Sequence, residues 1–196
     1  HQEYEMPASY GALDYVCLLE PVKRDKLLSE QELREIIALG REYKPERARV
    51  GNLSYSDHRK VIRRHMELNE RTQQFHAQMY ALVQEMNEKY FRFEITGMLP
   101  PDYMMYGPEF GHFGWHSDFV YQSPDVVRKL SLVIQLSDEK EYEGGELQVY
   151  LEKPKAQPKE RGSVIAFPAF LQHQVTPVTR GVRQSLVIFS TGPMFR

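Results

Sequence analysis

Gly111-His112-Phe113-Gly114-Trp115-His116-Ser117-Asp118 is the stretch whose reading decides how the rest of this chain is arranged. Side chains two residues apart on an extended segment project from the same face, so His116 and Asp118 offer an imidazole and a carboxylate to one point in space. These are two legs of a metal site. His173 is the leading candidate for the third. Two histidines and one carboxylate on one side of an ion leave its opposite positions open to exogenous ligands. A lone His-x-Asp is weak evidence, because such tripeptides arise often by chance. The residues that follow His173 strengthen it.

Working outward, the chain on both sides of this stretch reads as short strands. Phe91 to Ile95 alternates apolar and polar, and Tyr103 to Tyr106 leads into the Gly-rich approach to His116. Leu130 to Leu136 is a mostly apolar run of strand length, and Glu143-Gly144-Gly145-Glu146 turns the chain into Leu147 to Tyr150. Ser163 to Phe167 and Ser185 to Phe189 complete the set. No helical pattern follows Gly144-Gly145, so that pair is a turn and not a phosphate cradle.

Before residue 91 the chain has a different character. Ser29-Glu30-Gln31-Glu32 is a capping box ahead of Leu33, Ile36 and Ile37, with Gly40 as the expected stop. A second helix is expected over about 69–90, with Phe75, Met79, Leu82, Val83 and Met86 on one stripe facing a core. Tyr15 to Leu19 reads as a short leading strand. The fold expected is α+β with a mainly β core: a double-sheet jelly roll, or double-stranded β-helix, braced by N-terminal helices. One domain over 1–196 is expected, with 1–97 a mostly helical support region and 98–196 the jelly-roll core.

Composition excludes several classes. A net charge of −2 gives no footprint for nucleic acid or an anionic membrane, and no apolar run approaches the roughly 18–20 residues of a membrane span. The basic run between Asp57 and His65 is not sustained across the domain, and reads as a solvated helix face or a loop near the site mouth. Cys17, the single cysteine, rules out an internal disulfide framework and suits a reducing compartment, hence a cytoplasmic location. A chain that starts at His1 leaves room for a removed leader.

His173-Gln174-Val175-Thr176-Pro177-Val178-Thr179-Arg180-Gly181-Val182-Arg183-Gln184-Ser185 makes the pattern specific. The order HxD, GGEL, HxVxPVTxGxRxS resembles the prolyl-hydroxylase-like branch of the Fe(II)/2-oxoglutarate-dependent oxygenases over about 106–189. That resemblance implies iron held by His116, Asp118 and His173. Arg183 matches the basic residue that pairs with the far carboxylate of 2-oxoglutarate, a task suited to a forked, permanently charged guanidinium. Tyr106 matches a tyrosine that hydrogen-bonds the co-substrate in some relatives, and Ser185 shares the strand face of Arg183. Relatives often carry an aromatic residue where this chain has Gln135, whose amide offers a replacement hydrogen bond in a differently shaped pocket. Trp115, Phe119, Tyr121 and Arg128 are candidates for the substrate side.

The activity implied is hydroxylation of an unactivated C–H bond with release of succinate and CO2. Fe(II), 2-oxoglutarate and O2 are the expected requirements, and ascorbate is an optional addition. Asp118 speaks against the halogenating relatives, which lack that carboxylate. Phe189, six residues past Arg183, speaks against the nucleic-acid demethylases, which carry a second arginine there. No HExxH or cysteine cluster supports a zinc hydrolase. A non-catalytic jelly-roll module binding a peptide or small acid is the rival of another class. The expected substrate is an amino-acid side chain in a protein or peptide, with a free amino acid or natural-product intermediate as the alternative. Nothing in the sequence fixes the oligomeric state.

Overall fold

The apolar run through Leu130 to Leu136 is buried on both of its faces, which explains why it shows no clean alternation. The computed structural model describes residues 20–47, 59–109 and 111–194. Eight strands position the site: β1 (Ile62–His65), β2 (Asp102–Tyr106), β3 (His112–His116), β4 (Val126–Gln135), β5 (Leu147–Tyr150), β6 (Val164–Pro168), β7 (His173–Val175) and β8 (Arg183–Gly192). β6, β4, β8, β2 and β1 lie side by side in a nine-stranded sheet, whose path ends in Val22–Arg24 beside β6 and Glu46–Arg47 beside β1. A five-stranded sheet runs from Pro154–Ala156 through β5, β7 and β3 to Arg59–Lys60. The pairings are antiparallel.

Strand parity sorts the side chains of the large sheet into two cores. Leu130, Leu132, Ile134, Val164, Ala166, Leu186 and Ile188 pack against the helices. Val133, Ile165, Phe167, Met104 and Tyr106 pack against Leu147, Val149 and Val175 of the small sheet. The result is helices on one face of a large sheet and a second sheet on the other: the double-sheet jelly roll braced by helices. Each fully buried aliphatic side chain contributes roughly 1.5–3 kcal/mol.

Helix α1 (Glu30–Glu42) begins as its sequence requires. The Glu32 N–H donates to Ser29 Oγ at 3.2 Å and the Ser29 N–H to Glu32 Oε2 at 2.7 Å. Gly40 does not stop it; the helix runs to Glu42. Gly40 serves close packing instead, since a Cβ there would sit 2.6 Å from the Tyr103 ring. Helix α2 (Gln73–Met86) is shorter than the expected 69–90 and continues as a π-helical turn, Asn87–Phe91. Met79, Leu82, Val83 and Met86 are buried as the stripe requires.

Two local expectations differ from what forms. Phe91 to Ile95 is not a strand. Arg92 adopts φ 55°, and the Asn87 side chain takes both the Phe93 N–H (2.9 Å) and the Phe93 carbonyl (2.8 Å), the groups a sheet ladder needs. The basic run is neither helix nor loop over 59–65, because Arg59–Lys60 and β1 pair with β3 and β2. The Tyr15 to Leu19 strand and Cys17 lie outside the described residues. No helix among the described residues is long and apolar enough to cross a membrane.

Candidate active site

Strand pairing brings the histidines together: β7 lies antiparallel to β3 with His173 directly opposite His116. Asp118 follows the end of β3, and its N–H donates to the Ala169 carbonyl at 2.9 Å, which folds it back under the small sheet. One ligand atom from each of His116, Asp118 and His173 lies within 4.8 Å of the others. Asp118 Oδ2 is 3.1 Å from His173 Nε2, and Oδ1 is 3.6 Å from His116 Nε2.

Both imidazoles are oriented by the backbone. Nδ1 of His116 donates to the Gly114 carbonyl at 2.7 Å, and Nδ1 of His173 to the Leu171 carbonyl at 3.0 Å. With those protons assigned, Nε2 of each ring faces the carboxylate with a lone pair or a second proton. Ser131 Oγ donates to Asp118 Oδ2 at 2.7 Å, and Phe113 stacks on the His116 ring at 3.4 Å between centroids.

The electrostatics of this trio call for a cation. Burial alone would raise the Asp118 carboxyl, but the charge and hydrogen bonds of His173 and His116 outweigh it and hold Asp118 well below the carboxylate range. For His173 burial works against the charged ring, yet Asp118 prevails and its pKa is raised above 6.5. Burial dominates at His116, helped by the charge of His173, and its pKa is lowered. One proton shared between an aspartate and two converging Nε2 atoms is what a divalent ion would replace. The donor set, two imidazole nitrogens and a carboxylate, suits non-haem Fe(II).

Arg183 lies deeper in the same cavity, which has a volume of about 390 Å³. It is only 1% exposed. Its Nη2 donates to Gln135 Oε1 at 3.0 Å, and its guanidinium sits 5.1 Å from the centre of the Tyr106 ring. No carboxylate among the described residues pairs with it. Among the described residues the buried Arg183 Nε and Ser185 Oγ have no hydrogen-bond partner, and the buried Tyr142 hydroxyl lies beside the Arg183 guanidinium. Burial pushes the Tyr142 phenol up, partly offset by the charge of Arg183 and its hydrogen bond. An unpaired guanidinium out of water is costly, so this cluster fits a carboxylate such as the far end of 2-oxoglutarate. Gln135 uses its amide nitrogen on the Pro158 carbonyl (3.1 Å) and its oxygen on Arg183, so it braces the arginine. The GGEL turn explains the close fit. Gly145 has φ +59°, and a Cβ on it would lie 3.2 Å from Arg183 Cδ.

Of the residues expected on the substrate side, Arg128 lines the cavity, while Trp115, Phe119 and Tyr121 are not among its lining residues. Trp115 packs edge-on against Tyr150, and Tyr121 is 57% exposed. Residues that sequence reasoning does not assign to the site are Ser131, Tyr142, Arg63 and Asp102, and Phe189, read there only against another branch, also lines the cavity. Ser131 is open to inference from parity with Gln135 along β4. Arg63 is hidden in the basic run, and nothing local marks Asp102.

Residues 102–191 match the 2OG-Fe(II) oxygenase superfamily profile. A PKHD-type hydroxylase of Nitrosomonas europaea is 37% identical over 98 residues, 47% of this chain. The matched part is 43% of that relative's length, so the chain spans under half of it. Among solved structures, a Pseudomonas putida prolyl-4-hydroxylase superposes with TM-score 0.72 at 19% identity, covering 91% of this chain and 96% of its own. A Trichoplax adhaerens prolyl hydroxylase, in complex with a hypoxia inducible factor oxygen degradation domain peptide fragment, gives TM-score 0.71 at 14% identity, covering 88% and 83%. The two structures share the fold. With the sequence matches, they support the prolyl-hydroxylase-like 2-oxoglutarate-dependent oxygenase class read from the motifs.

Proposed function

We propose that this protein is an Fe(II)- and 2-oxoglutarate-dependent dioxygenase that hydroxylates an unactivated C–H bond of an amino-acid side chain in a peptide or protein. Succinate and CO2 are the co-products. The observation that carries this is the opening of the His116, Asp118 and His173 cluster into one cavity with a buried Arg183 that has no carboxylate partner among the described residues.

His116 and His173 would hold the metal through Nε2 and Asp118 through its carboxylate. Bound Fe(II) supplies oxygen activation and the cleavage of the substrate C–H bond. The chain's own residues do the rest. The Gly114 and Leu171 carbonyls keep Nδ1 protonated and so hold Nε2 in the ligating form. Ser131 fixes the carboxylate of Asp118. Arg183 receives the far carboxylate of 2-oxoglutarate, with Ser185 and Tyr142 as hydroxyl donors and Tyr106 as a wall. Val133, Leu147, Val175 and Val187 line the cavity with apolar surface that excludes water.

A peptide or protein substrate is supported by the prolyl hydroxylase neighbours, one of them bound to a peptide. A free amino acid is the second reading, favoured by the arginines that line the same cavity. A reducing, cytoplasmic setting rests on Cys17 being the single cysteine, and the reading of 1–196 as one domain is supported by a fold shared with the Pseudomonas structure over 91% of this chain. The test is succinate formation from 2-oxoglutarate with Fe(II) under air, raised by a peptide library or free amino acids. Asp118→Ala is expected to abolish it; undiminished turnover in that variant overturns the assignment.

A further inference from the structure

The same cavity is lined by a second guanidinium, Arg128, to which the proposed metal and co-substrate roles assign nothing. On β8 the pocket-facing residues are Arg183, Ser185, Val187 and Phe189, and their partners on β4 include Gln135, Val133 and Ser131. The register then shifts: Phe189 faces Ser131, but Thr191 faces Arg128, so two steps on β8 oppose three on β4. This is a β-bulge, and the Leu130 N–H inside it donates to Ser190 Oγ at 3.0 Å. Without the extra residue, Arg128 would share the helix-facing side of Leu130, Leu132 and Ile134. With it, Arg128 turns into the cavity.

There its guanidinium stacks 4.1 Å from the centre of the Phe189 ring. Its Nε is buried without a hydrogen-bond partner, and it pairs with no carboxylate among the described residues. Asp102 lines the same cavity but is already held by His65 Nδ1 at 2.8 Å and faces Arg63 Nη1 at 3.8 Å. Arg63 also lines the cavity with its Nε buried, but its Nη2 is ion-paired with Glu46 Oε2 at 2.9 Å. With Arg63 held by Glu46 and Asp102, Arg128 is the guanidinium at this end with no carboxylate within ion-pair distance among the described residues, although the charges of Asp118 and Asp102 act on it.

We infer that the substrate of this site carries a carboxylate group, received by Arg128 with Arg63 beside it. The inference rests on the proposed dioxygenase function and names the chemistry of its substrate. Arg183 accounts for the anion of the co-substrate, and a guanidinium laid on an aromatic face presents its planar fork to one carboxylate. A dianion such as a phosphate ester is disfavoured by Asp102 and Asp118 in the same cavity. The carboxylate can be that of a free amino acid or chain terminus, or a Glu or Asp side chain within a peptide.

The experiment is an anaerobic calorimetric titration of the Fe(II)-loaded protein, first with 2-oxoglutarate, then with matched probes. One arm pairs N-acetyl amino acids with their own carboxamides. A second pairs N-acetylglutamate amide with N-acetylglutamine amide, and methyl phosphate is the third. In at least one of the first two arms the acid is expected to bind about 10–100-fold more tightly than its neutral partner, the range for a charged hydrogen bond. The arm that responds distinguishes a main-chain from a side-chain carboxylate. Arg128→Gln is expected to erase the preference and Arg128→Lys to retain part of it. Acids and amides that bind alike or not at all, methyl phosphate binding best, or a preference that survives Arg128→Gln each overturn the inference. The wild-type comparison stands whether or not the variants fold. Absence of 2-oxoglutarate binding overturns the proposed function, and this inference with it; binding without an acid preference overturns this inference alone.

Discussion

The two arginine ends of the cavity differ in how they are built. At the Arg183 end the guanidinium is buried, braced by Gln135, flanked by Tyr106, and close to the buried hydroxyls of Tyr142 and Ser185. At the Arg128 end the cation lies on Phe189 beside an ion-paired Asp102, aimed by a bulge. The first is fixed by regular strand parity. The second depends on one inserted residue that shifts the register. A site that must always take the same co-substrate is served by the regular part of the sheet, and selectivity for a substrate is served by the irregular part.

The sharpest way to break this comparison is at the His116, Asp118 and His173 cluster. Asp118→Ala removes the anionic ligand and leaves two converging imidazoles. Fe(II) binding and succinate formation should fall by more than the roughly 10–100-fold typical for loss of a supporting partner, measured by metal analysis and coupled turnover. Ser131→Ala should show that smaller penalty itself, about 10–100-fold in Fe(II) affinity, because it frees the Asp118 carboxylate without removing it.

Arg183→Gln should weaken 2-oxoglutarate by about 10–100-fold in KM while leaving Fe(II) affinity near wild type, which separates its end from the metal. Tyr142→Phe is milder, since it removes one neutral hydrogen bond and should raise the same KM by roughly 2–10-fold.

The last effect is one of pH. In the metal-free protein the raised pKa of His173 means that its ion pair with Asp118 stabilises the fold fully below 6.5 and is lost as pH rises through the raised value. Metal and proton compete for that nitrogen. Fe(II) affinity should therefore fall as pH drops through and below the His173 value, with a dependence close to one proton because His116 is already neutral there. Calorimetry over a pH series running upward from 6.5 checks it.

Much of the fold and of the metal site is legible in the residues themselves. HxD and the distal His supply side chains whose chemistry is local in sequence, and strand parity places Ser185 beside Arg183. Leu130 to Leu136 declares a buried strand through composition alone. What escapes a linear reading are effects of tertiary context. Arg128 is a substrate-side candidate from sequence, but the bulge that turns it into the cavity is not legible there, and Arg63 reads as a solvated charge until β1 joins the sheet. Phe91 to Ile95 alternates like a strand, yet the Asn87 side chain claims its backbone groups. Gly40 resembles a helix stop, although the Tyr103 ring is what requires it.

The most direct test is an anaerobic crystal structure with Fe(II) and 2-oxoglutarate. The ion should be bound by Nε2 of His116 and His173 and by the Asp118 carboxylate, with the far carboxylate of 2-oxoglutarate on Arg183. An ion seated elsewhere, or a co-substrate whose far carboxylate lies on Arg128 while Arg183 stays unpaired, would contradict the account.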